Sequence, residues 1–407
     1  MFLILNATYL LLSVLIRSRW GNSNKTYTLM KKMLSLAALF GALSYAAPSD
    51  AAVNLGGYAG IRLRDENYSG TAFSPGSSKA ASDLMWQYRV RLFASADLGD
   101  GYYFKAMATD ETKGDGGWNT ITGTETYNLQ ISNFYFGRQT ADNGYAIGRL
   151  PLNAVNMPIL DLTLFPFQPL ESPLASVGMD RLFGLNYNTR CLSGNLRATL
   201  FVLDNGSANN TGLEGDGKFN DGYALYLSYS DKMGDVTFEP QFMRAVTQTS
   251  LTVHYPYTTS WYTHVTPWSA GANLTVPAGG AKIGLGAYYT RGRNSSGYSG
   301  IAGFTNEPNA GDVDYSGYQI RIKGDYGPVR CYWDYHRTTD KSRSLVSEAK
   351  YTNNFFWLSY EIPVHKTSSV SFTIQPTLRY LTNMAEGGVT NVNQQRLRSD
   401  LWATVTF

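Results

Sequence analysis

Residues 396–407, RLRSDLWATVTF, decide the fold of this chain. Apolar side chains occupy one set of alternate positions: Leu397, Leu401, Ala403, Val405 and Phe407. Charged and hydroxyl side chains occupy the other set: Arg396, Arg398, Asp400, Thr404 and Thr406. Period-two alternation is typical of a β-strand whose two faces meet different surroundings. Because the strand runs to an aromatic last residue, it predicts a closed barrel in which both sheet edges are paired.

The composition suits strands that face lipid on one side and water on the other. Charged residues make up 16% of the 407, Gly numbers 40, Tyr numbers 29, and the mean hydropathy is −0.24. An α-helical membrane protein would be more apolar, and a disordered chain would lack the aromatic residues. The length alone would also allow two or three soluble domains.

The charge balance and the positions of the histidines argue against nucleic-acid binding and against a metal site. Residues 1–52 hold five of the 34 basic and one of the 31 acidic residues, which leaves 29 basic and 30 acidic residues after them. This balance gives no support to nucleic-acid binding. The four histidines share no metal-ligand spacing, and no cofactor fingerprint occurs, so neither a metal nor a cofactor is expected. Cys191 and Cys331 leave one bridge or two free thiols as alternatives.

The first 52 residues are predicted to lie outside the fold and to include a targeting segment. In residues 30–52, Lys31 and Lys32 precede a short apolar core and a run of small residues, which is the pattern of a secretory signal peptide. The core is about half of the roughly 20 residues that a spanning helix needs. Residues 1–29 are predicted to be an upstream extension or a mis-set start of translation, with a membrane anchor as the alternative.

The remaining residues, 53–407, predict sixteen strands joined by seven short turns and eight long loops. Arg89 and Arg91 fix the faces of the clearest strand, because a basic residue that faces lipid at mid-depth costs about 2–4 kcal/mol. The weakest strands are 144–150 and 180–190, so fourteen or eighteen strands stay open. The predicted strands are 53–64, 84–97, 101–111, 125–139, 144–150, 180–190, 195–204, 220–230, 235–246, 267–276, 281–293, 314–324, 328–338, 351–362, 369–382 and 395–407.

The alternation of short and long connections predicts the fold class. Gly and Asp mark tight turns such as 97–101, whereas the other connections are long and polar. An even strand number with this asymmetry is typical of an all-β transmembrane antiparallel barrel with periplasmic turns and extracellular loops. A secreted β-sandwich or β-helix is the alternative, but it does not explain the asymmetry.

At this level the sequence resembles the Gram-negative outer-membrane porin family over nearly all of 53–407. The resemblance rests on the Arg-x-Arg strand that runs into Ala96–Gly101, on Phe136–Gln139, and on Phe407. It implies a barrel in the bacterial outer membrane through which small hydrophilic solutes diffuse passively. It also implies contact with outer-membrane lipid, a homotrimer, and Phe407 as a signal for the barrel assembly machinery.

Loop 151–179 and a set of basic residues are predicted to shape the pore. The loop is apolar and rich in proline, so it should pack against the protein, either inside the lumen or over its mouth or a subunit interface. Its Asp161 and Glu171 would face the basic residues and orient polar solutes between them. The alternative for each arginine is a structural ion pair. The basic set is Arg62, Arg64, Arg89, Arg91, Lys105, Arg138, Arg321, Arg330 and Arg379.

Three other functions are weighed against passive diffusion. Inward Trp357, Trp402 and Tyr332 could form an aromatic track, which would favour a specific channel for sugars or acidic oligosaccharides. A lumen filled by loop 151–179 would instead favour a structural or adhesive barrel. His336 and Asp334 share a strand face, but no serine stands at a matching spacing, so we expect lumen wall there rather than an enzyme.

Overall fold

The computed structural model describes twelve segments of the chain. The predicted signal peptide and upstream extension, residues 1–52, lie outside them, as does Glu171. The described segments are 53–70, 82–111, 117–123, 128–151, 157–167, 181–204, 222–247, 249–254, 259–294, 312–342, 348–387 and 392–407.

Sixteen antiparallel strands form one closed barrel, because each strand pairs with its neighbour in the chain and the first pairs with the last. In chain order they are β1 Val53–Gly70, β2 Ser82–Gly99, β3 Tyr102–Asp110, β4 Gln130–Gln139, β5 Asn143–Pro151, β6 Arg181–Cys191, β7 Gly194–Asp204, β8 Gly222–Met233, β9 Val236–Ala245, β10 Trp268–Ala278, β11 Ala281–Arg293, β12 Asp314–Tyr326, β13 Val329–Asp340, β14 Ala349–Tyr360, β15 Ser371–Glu386 and β16 Val392–Thr406.

The predicted strand number is confirmed, including the two strands with the weakest pattern, which are β5 and β6. Several boundaries differ: β4 begins at Gln130 rather than at 125, β15 ends at Glu386 rather than at 382, and β1 continues past Arg64 to Gly70. Its inward residues there find partners on β16, where Arg64 lies opposite Asp400 and Glu66 lies opposite Arg398. Cross-strand pairing of charges therefore extends a strand into what composition alone predicts to be a polar loop.

The barrel closes where β1 meets the end of β16. Gly57 and Phe407 exchange two backbone hydrogen bonds of 2.7 and 3.0 Å. The phenyl ring lies over Gly57, where a Cβ would come within 2.3 Å of the ring carbon Cζ. A glycine at this position therefore gives the Phe407 ring room to lie flat against the seam.

Outward positions form an apolar belt around the barrel. Aliphatic side chains in this belt are 38–50% exposed, and they include Leu92, Ile147, Leu185, Leu200, Ile320, Ile322 and Leu401. Tyrosines lie on the same face at the short-turn ends of strands, for example Tyr102, Tyr187, Tyr326 and Tyr360. An apolar belt bordered by aromatic residues on a closed barrel is the surface that a bilayer requires.

Four short elements complete the described structure. Asn119–Thr120 pairs with β2, and Ile362–Lys366 continues β14 along β15. A hairpin of Thr249–His254 and Thr259–Val265 lies where the sequence predicts only a loop, 247–266. The helix α1, Pro158–Leu164, begins on a proline, which suits its first turn. In the described segments, no helix reaches the length and hydropathy of a membrane span.

Candidate functional site

The helix α1 lies inside the barrel, against β9, β10 and β11. All seven of its residues are buried, and Ile159 and Leu162 have no exposed surface. They share a hydrophobic cluster with Tyr226, Met243 and Tyr288, which occupy inward positions of the wall. Residues 157–167 of the predicted constriction loop therefore lie in the lumen, whereas their effect on flow stays a prediction.

Polar and aromatic contacts hold this loop segment at several points. Thr163 Oγ1 is 2.8 Å from Ser269 Oγ on β10. Beyond the helix, Asn353 Nδ2 donates to the carbonyl oxygen of Phe167 over 3.1 Å. The Phe167 ring packs edge-on, with centroids 5.0–5.7 Å away, against three tyrosines: Tyr262, Tyr315 and Tyr351. The segment is thus fixed to the wall both within α1 and just after it.

Asp161 does not face channel water. Its residue is 2% exposed, and its Oδ2 makes no hydrogen bond to the described residues. Its carboxylate is packed within the protein, with Arg321 of the predicted basic set nearby, and its role in orienting solutes stays a prediction. Burial raises the pKa of Asp161 well above its ordinary value; nearby Arg321 opposes this shift and Asp334 adds to it.

This raised pKa predicts that the seating of α1 depends on pH. The Asp161 carboxyl binds its proton more tightly when α1 is packed on the wall than when α1 has left it. The packed position is therefore most stable at acid pH, and its stability falls as pH rises above about 4. We expect excursions of single-channel current to larger conductance to be more frequent at pH 9 than at pH 5. Asp161→Asn should remove this difference.

The control for this prediction is Asp142→Asn, on an exposed turn, where the carboxylate lies 3.5 Å from Arg190. It should keep the pH dependence of the unmodified protein. Equal pH dependence in both variants would contradict a role for Asp161.

A group of arginines on the inner faces of β1, β2, β15 and β16 forms a second feature, the arginine wall. Asp400 Oδ1 accepts from Arg64 Nε over 2.7 Å, and its Oδ2 lies 3.5 Å from Arg379 Nε. Glu66 pairs with Arg64 and Arg398, and Glu111 pairs with Arg91. The members are Arg62, Arg64, Arg89, Arg91, Arg379, Arg396 and Arg398.

The arginine wall concentrates positive charge. In the ion pairs between described residues, its seven guanidinium groups meet three carboxylates, those of Glu66, Glu111 and Asp400. Buried ion pairs of this kind hold side chains in place more than they stabilise the fold. The wall is therefore a fixed, positively charged surface.

Aromatic rings alternate with three of these guanidinium groups, and we call this arrangement the cation–aromatic stack. Each guanidinium carbon lies 4.6–5.8 Å from the centroids of the rings beside it, which is the range of cation–π contacts. The order of contacts in the stack is Tyr58, Arg89, Trp118, Arg62, Trp402 and Arg379.

Trp118 reaches this stack from a connection rather than from a barrel strand. It precedes Asn119–Thr120, which pair with Tyr88 and Gln87 of β2. Arg62 Nε also donates to Gln87 Oε1 over 2.7 Å. The sequence carries no periodic signal that would identify Trp118, whereas the inward parity of Arg396, Arg398 and Asp400 is visible in it.

Most of the other predicted basic residues face inward, although not at one site. Lys105 Nζ lies 5.4 Å from the ring of Tyr103. Arg321 forms two hydrogen bonds of 2.6 Å to Asp334. Arg330 occupies an inward position at the short-turn end of β13. The structure therefore brings Arg62, Arg64, Arg89, Arg91 and Arg379 together and leaves these three elsewhere on the wall.

Arg138 is an error of the sequence prediction, since it faces outward. It lies opposite Tyr102, with its guanidinium carbon 4.9 Å from that ring, and Nε donates to the Asp100 carbonyl oxygen over 3.1 Å. The pairing of β3 with β4 is irregular at Ser132, which has no opposite residue, and this bulge shifts the parity of β4. At the short-turn end the guanidinium can reach the interface.

The pair His336 and Asp334 is part of the lumen wall. Asp334 is engaged by Arg321, while His336 Nδ1 and Nε2 lie 2.8 Å from Asn353 Nδ2 and Thr338 Oγ1 respectively. In the described segments no three His, Cys, Asp or Glu side chains group as metal ligands. Cys191 and Cys331 are both free thiols.

Comparisons with known proteins agree on the fold. The sequence matches no protein-family model and no curated protein. OmpT of Vibrio cholerae is 12% identical with a TM-score of 0.53, covering 88% of this chain and 99% of its own. An anion-selective porin from Comamonas acidovorans is 14% identical, with a TM-score of 0.51 and coverage of 88% and 100%. The outer membrane channel DcaP of Acinetobacter baumannii is 14% identical, with a TM-score of 0.50, and the match covers 89% of this chain and 99% of DcaP.

Proposed function

We propose that this chain, which has the barrel fold of outer-membrane porins and channels, lets small hydrophilic solutes diffuse across the outer membrane and favours anions. The arginine wall is the observation that carries this proposal, because it places seven guanidinium groups together on the inner face of a closed barrel. In a confined pore, fixed charge of one sign attracts counter-ions and repels ions of its own sign. The homotrimer expected from the family resemblance stays a prediction.

The position of α1 supports a narrowed passage. The helix contacts β9–β11, whereas the arginine wall lies on β15, β16, β1 and β2, so the two occupy separate parts of the circumference. A cavity of about 570 Å³ adjoins the loop segment at Met157, and its wall includes the polar side chains of Asn186, Arg197 and Glu239. This space favours a water-filled passage over a plugged structural or adhesive barrel.

A specific channel for sugars or acidic oligosaccharides is the second candidate. The rings of Tyr332 and Trp357 lie 5.2 Å apart on the inner wall, and Trp402 is inward as well. Tyr332 is only 3% exposed, however, so its ring offers little surface to a sugar. These aromatic rings pack mainly on arginines and on each other, which favours passive diffusion over a sugar-specific channel.

The proposal predicts an anion-selective pore whose selectivity depends on the arginine wall. In a planar bilayer with a KCl gradient, the purified protein should give steady ohmic steps and a reversal potential of the sign set by chloride. Arg379→Gln should lower the chloride-to-potassium permeability ratio about twofold, because it removes one positive charge from the arginine wall.

Arg190→Gln is the matched control, since Arg190 lies at the short-turn end of β6 and its side chain is 69% exposed. It should leave the permeability ratio unchanged. A folded barrel without conductance would overturn the channel function, and a cation-selective one would overturn the role of the arginines.

A further inference from the structure

The outward face of β11 changes in character from its short-turn end to its long-loop end. Ile283 and Leu285 lie in the apolar belt, and Tyr289 follows them. Arg291 and Arg293 come last. Aliphatic, aromatic and then basic is the order that suits a strand leaving the lipid core for the headgroups. The two arginines are therefore at the depth of the headgroups, where an outward charge costs little.

Neighbouring strands repeat this order. Arg244 is the next outward residue after Phe242 on β9, and Arg337 is the next after Tyr335 on β13. The residue between the two members of each pair is buried on the lumen side, which fixes the outward direction of both arginines. The outward basic residues at the long-loop ends of β9–β14 include Arg244, Arg291, Arg293, Arg337 and Lys350.

Arg244 and Arg291 lie at the centre of this group, on either side of one tryptophan. Both pair with Trp268 of β10, one from each side, so the three residues form a single row across the strands. Because neighbouring strands lie about 4.8 Å apart, the Cα atoms of the two arginines are about 10 Å from each other. Two long side chains at this spacing can converge on one ligand beside the indole. We call these three residues the outer arginine site.

The ion pairs around the outer arginine site do not match its positive charge. Arg244 is exposed and takes part in no ion pair among the described residues. Arg291 Nη2 lies 3.5 Å from Asp314 Oδ1, at the outer limit of a hydrogen bond, and its Nε is buried without a hydrogen bond to a described residue. Arg293 holds Asp314 more closely, through Nε and Nη2 at 3.2 and 3.1 Å. In the described structure, one carboxylate thus serves three guanidinium groups.

A phosphate group carried by a lipid fits these donors. Guanidinium groups bind phosphate through paired, charge-assisted hydrogen bonds. A phosphate monoester carries about 1.5 to 2 negative charges at neutral pH, which matches two arginines better than a singly charged group does. The acyl chains of such a lipid would lie along the apolar belt below the arginines, at side chains such as Leu285. Arginines that served only as interfacial anchors would show no preference between anionic headgroups.

We propose that Arg244, Trp268 and Arg291 form a binding site on the outer surface of the barrel for the phosphate monoester of an outer-leaflet lipid. The phosphate bridges the two arginines, and the acyl chains extend along the outward faces of β9–β11. The site lies on the lipid-facing side of the wall, so the proposal does not depend on which solutes pass through the lumen.

The test is binding of dioleoyl phosphatidic acid to the purified, folded barrel in detergent, measured by native mass spectrometry over a range of lipid concentrations. Phosphatidic acid is a phosphate monoester, and it should bind about threefold or more tightly than dioleoyl phosphatidylglycerol, whose phosphodiester carries one charge. Arg244→Gln and Arg291→Gln should each raise the dissociation constant of phosphatidic acid about tenfold, because each removes charge-assisted hydrogen bonds. Inorganic phosphate at a concentration equal to that of the lipid should not displace it.

Arg138→Gln is the matched control. Arg138 also faces outward beside a tyrosine, Tyr102, but it lies at the short-turn end of the barrel. Its replacement should leave the dissociation constant of phosphatidic acid unchanged. Heat-modifiable migration on a gel confirms that each variant is folded.

Three results would overturn the proposal. Equal binding of the two lipids would remove the preference for a monoester, and displacement by inorganic phosphate would assign the site to free phosphate rather than to a lipid. Equal weakening in Arg138→Gln would mean that the lipid binds any outward arginine. The binding measurement needs no current through the pore, so its failure is distinct from a failure of the channel function.

Discussion

Leu162→Asp is expected to raise the single-channel conductance about twofold, because a buried carboxylate costs several kcal/mol and should drive α1 from its seat. Leu162 has no exposed surface and packs in the cluster with Tyr226, Met243 and Tyr288. The neighbouring carboxyl of Asp161 is already buried, so a second one cannot share its surroundings cheaply. The change should be measured as current steps at fixed voltage.

The barrel itself should survive this substitution. The helix α1 packs on the inner wall through side chains, whereas the strands are held by their own backbone ladders. Leu162→Met, which nearly conserves volume, is the matched control and should keep the original conductance. Unchanged conductance in a folded Leu162→Asp barrel would show that the loop segment does not limit flow.

Phe407→Ala is expected to lower the amount of folded barrel in the outer membrane on the order of tenfold, because the ring lies at the seam whose closure leaves no open sheet edge. The variant keeps the backbone hydrogen bonds to Gly57 and loses only the ring that lies over it. The readout is the fraction of heat-modifiable protein in isolated outer membranes, compared with refolding of the same variant in detergent.

Phe136→Ala is the matched control for position. Phe136 also faces outward and is 53% exposed, against 54% for Phe407, but it lies within β4. Its loss should reduce the folded fraction far less. If both variants assemble equally well, Phe407 is not a signal for the assembly machinery, and if Phe407→Ala fails equally in detergent, the ring acts through closure alone.

Alternation in the sequence was enough to predict the strands and the faces of most charged residues. Alternation predicts the inward faces of Arg62, Arg64, Arg89 and Arg91 correctly. A charge that faces lipid at mid-depth is costly, so charged residues at these depths occupy inward positions. Alternation fails at Arg138, since a bulge at Ser132 shifts parity without leaving any trace in composition. Near a strand end, an outward charge costs little free energy, so an arginine there can face either side of the barrel.

The partners of the lumen residues were less predictable than their faces. Asp161 was predicted to face the basic residues, whereas its burial follows from the packing of α1 on side chains from β9–β11 that are distant in sequence. Trp118 lies in a connection where no period applies, and its contact with Arg62 joins segments far apart in the chain. Periodicity identifies a face, whereas contacts across a lumen depend on tertiary structure.

The charges along the seam have a consequence for how the barrel closes. Arg64 lies opposite Asp400, and Glu66 lies opposite Arg398. A slip of one residue would turn the charged face to lipid. A slip of two would set Arg64 against Arg398 in one direction, or Glu66 against Asp400 in the other. The charges at the seam thus favour one register of the first strand on the last. Only this register places both arginines opposite carboxylates.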